Sequence, residues 1–360
     1  MFCTNAWALF TQGPIWALRS IAGRRTVTFL RHREALGDSL MVTALARGLK
    51  KAFPELRVAV ASRRPELFAH NPHLGESRGW HLWRTRYTVQ AGYNREELAG
   101  RGAGVALEHV VQIQWRALWN ELARGGFFEQ AGSEVPAAPV TDGVHPELFL
   151  TEAERARGRE LAGKGAAGGK PVVLIGGGGK LKPTHNREWG YANYQALVDL
   201  LAPHVRLLQV SGDEPLRVAG RPLPALGSLP PREAAALMAC SDAVLVQEGG
   251  LMHLARAVNA PTVVIYGGYV LPEQTGYAEQ VNLWARPECS PCIAGAQNCP
   301  HLKCMVEITP RRVLGCLAEL LEKGSGYRLP AEVLGNAPQR WEPPPFVDRG
   351  ILEAELAQRG

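Results

Sequence analysis

Two glycine-bearing turns constrain this chain most, each entered from a short apolar run and left through a helical pattern. In the later one, Ala243-Val-Leu-Val-Gln247 leads into Glu248-Gly249-Gly250. Leu251-Met252-His253 then open a helix, and Pro261 to Tyr266 form another apolar run. A short buried run that ends in glycines and passes into a helix reads as a parallel strand with its βα turn. Glycine lets a ligand approach the backbone, and a helix N-terminus aims unpaired N–H groups and its positive dipole end at that ligand. A diphosphate fits such a turn, with Gly249, Gly250, Leu251, Met252 and His253 around it. A tight turn with no ligand is the plain alternative.

The earlier turn follows Pro171-Val-Val-Leu-Ile175 and reads Gly176-Gly177-Gly178-Gly179-Lys180-Leu-Lys182. Gly177 and Gly178 expose backbone donors, and Lys180 and Lys182 add charge for a phosphate. Arg187-Glu188-Trp189-Gly190 comes next, ahead of a helix with Tyr194, Leu197, Val198, Leu200 and Leu201 on its apolar positions. The alternative is a flexible glycine hairpin with solvated lysines. A P-loop is excluded because the Gly-Lys-Ser/Thr ending is missing, and no G-x-G-x-x-G stands in a complete βαβ context.

With 360 residues the chain is long enough for two domains, each with its own core. In the first half, strands are expected at 26–30 and 57–61 and a helix runs from Ser39 to about Phe53. A short helix follows at 65–70, loops and short strands at 80–93, and a helix at 105–123. Thr151-Glu-Ala-Glu154 is a capping box for another helix. In the second half, strands are expected at 171–176, 205–211, 243–247, 261–266 and 281–285. Helices are expected at 190–202, 231–240, 250–258 and from Thr309-Pro310 to about Glu322. This alternation predicts an α/β fold with a doubly wound parallel sheet in each half and a ligand crevice at the strands' carboxyl ends. The expected division is 1–165, then 170–325, joined by a Lys164–Gly169 linker. The 326–360 tail reads as irregular with a short helix from Ile351.

Charged residues make up 21% and hydrophobic ones 46%, as in a soluble globular enzyme or binding protein. The net charge of +6 suits anionic ligands or an anionic surface. Lys and Arg are interleaved with Glu rather than massed, so no nucleic-acid partner is expected. No apolar run is long enough to cross a bilayer, and the opening residues lack a signal-peptide pattern. Cytoplasmic residence is therefore expected. The amphipathic opening, with Trp7, Trp16, Arg19, Arg24 and Arg25, suits peripheral contact with the inner membrane surface, or packing on the first domain.

Of seven cysteines, four crowd into one loop: Cys289, Cys292, Cys299 and Cys304, with two, six and four residues between successive members. In a reducing compartment that crowding points to a metal knot, and four thiolates close a tetrahedral shell around structural zinc or iron. A closed shell has no open position, so no catalytic metal is expected. Ordinary thiols are the alternative.

Gly37-Asp38-x-Leu40 after the first strand, Arg187-Glu-Trp189, Gly250-Leu-Met-His253-Leu-Ala and the closing cysteine region occur in one order that resembles glycosyltransferase family 9, the ADP-heptose heptosyltransferase group. The resemblance spans roughly residues 26 to 322. It implies a GT-B architecture, with an N-terminal Rossmann-like domain for the acceptor facing a C-terminal one for the nucleotide sugar. It also implies a nucleotide-sugar donor, with an ADP-sugar favoured, and a glycan, lipid-linked glycan or protein acceptor. The cysteine loop is similar to the metal-bound finger of the autotransporter heptosyltransferases. Two motifs depart from the pattern. Glu248-Gly249 replaces Asp-Ser/Thr, and in the Lys-x-Trp-Pro element Arg187 replaces Lys and Gly190 replaces Pro.

Glycosyl transfer needs a base for the acceptor hydroxyl and stabilisation of a departing diphosphate. Asp38, the carboxylate in the first half's glycine turn, is the candidate base; capping a helix from Ser39 is its plain alternative. Arg187, Lys180, Lys182 and His253 are candidates for the diphosphate, and Glu248 for a ribose hydroxyl. Trp80, Trp83 and Tyr87 could line an acceptor wall or the core. The leading expectation is an inverting transferase. A nucleotide-sugar epimerase or hydrolase of the same fold, and a non-catalytic scaffold or nucleic-acid binder, are the competing ones.

Overall fold

The computed structural model describes residues 26–31, 35–79, 87–90, 108–130, 145–164, 169–177, 187–212, 214–224, 226–227, 229–292 and 299–358. The chain divides into two compact units. The first comprises Met1–Tyr93 and Val111–Phe149; the second comprises Asn94–Val110 and Leu150–Gly360. The boundary thus falls near residue 150, earlier than the glycine-rich stretch after Lys164, and the tail belongs to the second unit.

In the first unit β1 (Thr26–Arg31), β2 (Arg57–Ser62), β3 (Glu76–Gly79) and β4 (Tyr87–Gln90) form a parallel sheet in the order β3-β2-β1-β4. Helix α1 (Leu36–Ala52) follows β1 and buries Leu40, Met41, Val42, Ala44, Leu45 and Leu49. Gly48 on α1 packs against Trp115 of α2 (Val110–Arg124), whose ring would lie 3.0 Å from a Cβ there. Phe53, Trp115 and Trp119 join Phe127 and Phe128 of α3 (Phe127–Gln130) in an aromatic cluster.

The second unit opens on α4 (Glu152–Ala162). Its capping box forms as expected: Thr151 accepts from the Glu154 N–H, and the Glu154 carboxylate accepts from the Thr151 N–H. Its sheet holds β5 (Val172–Gly176), β6 (Arg206–Ser211), β9 (Ala243–Gln247), β10 (Thr262–Ile265) and β11 (Val281–Leu283). All are parallel, in the order β11-β10-β9-β5-β6; β7 (Arg217–Val218) and β8 (Arg221–Pro222) form a separate two-stranded ribbon. Strands β5 and β10 are buried at every residue, which is why they read as unbroken apolar runs rather than as alternation. Leu197 and Leu201 of α5 (Tyr191–Leu201) share one core with Val173, Ile175, Leu245, Val263 and Ile265. Val313, Leu314 and Leu317 of α9 (Pro310–Ser325) complete it; the intervening helices are α6 (Pro231–Ala239), α7 (Gly250–Ala257) and α8 (Pro272–Thr275). The tail carries the expected final helix, α11 (Arg349–Ala357), and beyond expectation also α10 (Ala331–Gly335), with Trp341, Val347 and Leu352 in the same core. Among the described residues no helix is long and apolar enough to cross a membrane.

Helices α4 and α6 cross closely at Gly158, where a Cβ would lie 2.3 Å from the Ala236 carbonyl oxygen. Helix propensity alone favours alanine there by about 1 kcal/mol. The backbone contact reverses the sign, so Gly158→Ala is expected to destabilise the protein by about 1–3 kcal/mol in denaturant unfolding. Unchanged or raised stability would refute that crossing.

Candidate functional site

The strand order of the second sheet reverses between β5 and β9, and ligands of such folds bind outside the carboxyl ends of the strands flanking that reversal. Both glycine turns leave those two strands. Gly176 pairs with Val246 across the sheet. A Cβ on Gly176 would come within 2.8 Å of Val246 Cγ1 and 2.9 Å of Leu251 Cδ1, so the two turns pack directly on each other. Gly177 is equally constrained. A Cβ there would lie 2.5 Å from the hydroxyl of buried Tyr194, and its carbonyl accepts from Gln209 Nε2 at 2.8 Å. Gly178, Lys180 and Lys182 lie outside the described residues.

Gly249 caps α7 at φ 144°, in the region that favours glycine, and Gly250 is the helix's first residue, as the expected 250–258 span has it. Arg187 and Glu248, both candidates for contact with a ligand, meet each other. Arg187 Nη1 donates to the Glu248 carboxylate and, at 3.1 Å, to its backbone carbonyl. The guanidinium also lies over the Tyr269 ring, 5.0 Å from its centroid. Among the described residues Arg187 makes no hydrogen bond through Nε or Nη2, and 23% of its side chain is exposed. The pairing therefore orients the guanidinium and leaves donors for an anion.

His253, in the first turn of α7, is buried, and its Nδ1 lies 2.5 Å from the Tyr277 hydroxyl. Burial foremost, then the charges of His109 and Arg187, lower its pKa to about 3. His109 also packs on the Tyr277 ring; burial lowers its pKa to about 4 against the opposing pull of the Thr275 and Gly276 carbonyls. His253 is therefore neutral at pH 7 and would meet a phosphate as an N–H dipole rather than as a cation. Both histidines bind protons more weakly folded than unfolded, so their contribution is fully present above about pH 6.5 and is lost on acidification. Each is expected to remove up to about 1.4 kcal/mol per pH unit until its folded pKa is reached. Urea midpoints should fall between about pH 6.5 and pH 4, less steeply in His253→Gln. A flat profile would refute neutral burial.

In the first unit, the structure places Asp38 inside α1, in its first turn and half-buried; the cap residue is Ala35. Asp38 is thus not the helix cap, and Gly37 is helical rather than part of a turn. Trp80 and Trp83 lie outside the described residues, and Tyr87 is on β4.

Sequence reasoning missed Tyr269, Tyr277 and Glu188. Tyr269 follows the Gly267-Gly268 pair after β10, a position that could have drawn attention; Tyr277 carried no local signal. Glu188 is buried, and Gln247 Nε2 donates to it at 3.4 Å.

Two of the four cysteines, Cys292 and Cys304, meet the Gly268 backbone. Its carbonyl accepts from the Cys292 N–H at 2.8 Å, from Cys292 Sγ at 2.9 Å and from Ser290 Oγ at 3.2 Å. Burial foremost pushes the Cys304 thiol up to about 12. A hydrogen bond from the Gly268 backbone opposes the shift, and Cys299, Cys292 and Cys289 reinforce it. Among the described residues no three His, Cys, Asp or Glu side chains are arranged to hold a metal ion.

Residues 140–303 match glycosyltransferase family 9 (heptosyltransferase). A lipooligosaccharide heptosyltransferase 2 of Haemophilus influenzae is 27% identical over 207 residues, covering 52% of this chain and 59% of that protein. The chain therefore spans little more than half the length of that relative. Among solved structures, a family 9 glycosyltransferase from Veillonella parvula aligns with a TM-score of 0.61 at 15% identity, over 83% of this chain and 98% of that one. The ADP-heptose lipopolysaccharide heptosyltransferase II of E. coli aligns at 0.51 and 14% identity, over 83% and 99%. The iron-containing dodecameric glycosyltransferase TibC of enterotoxigenic E. coli aligns at 0.54 and 17% identity, over 83% and 77%. The chain is thus similar over residues 140–303 to glycosyltransferase family 9 (heptosyltransferase), and its fold is GT-B.

Proposed function

We propose that this chain is a glycosyltransferase that moves a heptose from ADP-heptose to a surface-glycan, lipopolysaccharide or protein acceptor, with inversion. The observation that carries this reading is Arg187, held by Glu248 and Tyr269 beside two glycine turns that touch at the sheet's reversal point. Relatives named for heptose transfer to lipooligosaccharide and lipopolysaccharide support the donor and acceptor class. In this reading Asp38 takes the proton of an acceptor hydroxyl as its oxygen bonds to the anomeric carbon. The bond from that carbon to the diphosphate oxygen breaks, and ADP leaves with its charge met by Arg187 and the α7 N-terminus. A single displacement inverts the anomeric centre. We place the reaction in the cytoplasm, with the basic chain in peripheral contact with the inner membrane surface.

The test is ADP release from ADP-heptose with and without a truncated lipopolysaccharide core acceptor. Acceptor-dependent release supports the reading. Equal release without acceptor makes the chain a hydrolase, and none in either case, across several acceptors, overturns the transferase assignment.

The same proposal includes a structural zinc or iron ion on Cys289, Cys292, Cys299 and Cys304. What supports this is the crowding of the four cysteines within residues 289–304, since binding an ion would make each give up its proton. Four thiolates would complete a closed shell that supplies stability rather than chemistry. Purified protein is expected to carry about one ion per chain, and Cys299→Ser to release it and lower thermal stability before turnover. Metal content far below stoichiometry after anaerobic purification without chelator would return these residues to ordinary thiols.

A further inference from the structure

The segment that follows Arg187 is clamped by the C-terminal tail, which lies beyond the matched residues 140–303. Trp341 Nε1 donates to the Trp189 carbonyl at 2.7 Å, and Asn193 Nδ2 donates to the same carbonyl at 2.7 Å. Asn193 then binds the tail backbone in both directions, donating to the Glu342 carbonyl at 2.7 Å and accepting from the Glu342 N–H at 2.9 Å. Trp189 is fully buried and anchored from the other side, its Nε1 donating to Ile308 O at 2.6 Å.

Gly190 shows how closely the tail lies. Its φ is 95°, which a proline ring cannot adopt, and a Cβ there would meet Asn193 Nδ2 at 3.2 Å and Glu342 O and Pro344 Cδ at 3.4 Å. The glycine found where the resemblance implies proline thus accompanies a tail laid directly across it. The tail is tied at its far end as well, through the Asp348 N–H to Pro300 O at 2.8 Å and Lys303 to Glu355 at 2.5 Å.

We propose that Trp341 and Asn193 are positioning residues: the 341–344 segment is a strap that fixes the Trp189–Gly190 backbone and, through it, the aim of the Arg187 guanidinium at the donor's diphosphate. This rests on the reading of the second unit as a nucleotide-sugar site. Trp341→Phe removes one N–H and keeps the ring in the core, and Trp189 O retains its bond from Asn193, so the fold should survive; Asn193→Ser cuts the clamp independently.

The test is calorimetric titration of ADP and of adenosine into the full chain, alongside thermal unfolding. Each variant is expected to weaken ADP roughly three- to tenfold while adenosine binding holds, because the displaced contact is to charge. Trp341→Phe made in an Arg187→Ala background should cause no further loss, which a merely structural residue would not obey. Equal losses for both ligands, no loss in either variant, or full additivity with Arg187→Ala overturns the strap alone. A wild-type chain that binds no nucleoside diphosphate overturns the donor-site reading and the strap with it.

Discussion

Replacing Asp38 with Asn is expected to lower turnover by about two to four orders of magnitude while leaving the fold and donor affinity in place. The substitution keeps the shape and removes the ability to accept a proton. Asp38 stands in the first turn of α1, where its charge also favours the helix dipole. That second role is worth only about 0.3–1 kcal/mol at an exposed site, so the two roles separate cleanly in magnitude. A dipole contribution alone would lower the unfolding midpoint slightly and leave turnover of the folded enzyme intact. A base would do the reverse. Product formation by Asp38→Asn within about tenfold of wild type would remove it from the mechanism, whatever the change in stability.

Arg187→Ala is expected to weaken ADP by about one to two orders of magnitude, since a charge-assisted hydrogen bond contributes about 1.5–3 kcal/mol, and to leave adenosine nearly unchanged. Glu248→Gln should give a smaller loss of the same kind. It keeps an acceptor for Nη1 but removes the charge that holds the guanidinium. Together the two variants distinguish an orienting ion pair from one that blocks the site. If Glu248 competed with the diphosphate for Arg187, Glu248→Gln would tighten ADP rather than weaken it. Calorimetry of both ligands against both variants reads this directly, and loss of adenosine affinity equal to that of ADP would place Arg187 away from the phosphates.

How much of this was legible follows from the range of the forces involved. The strands of the second sheet, the glycine turns after β5 and β9 and the Thr151–Glu154 capping box depend on neighbours a few residues apart, so periodicity and turn chemistry located them. The start of α1 was misplaced because Gly37 and Asp38 suggested a turn, whereas the packed helix absorbs both. The tail looked irregular because its short helices and prolines lack periodicity; its order comes from Trp341 and Asn193, separated by well over a hundred residues and joined only by folding.

By itself, then, the sequence determined two α/β units, the candidate Asp38, the glycine turns and the crowding of cysteines in one loop. Only the tertiary structure decided that Arg187 is held by Glu248 and Tyr269, that His253 is buried and neutral against Tyr277, and that the tail lies over Gly190. The reason is physical. Desolvation and pairing between distant segments are properties of the assembled core, and no local stretch of chain encodes how deeply its own side chains will be buried.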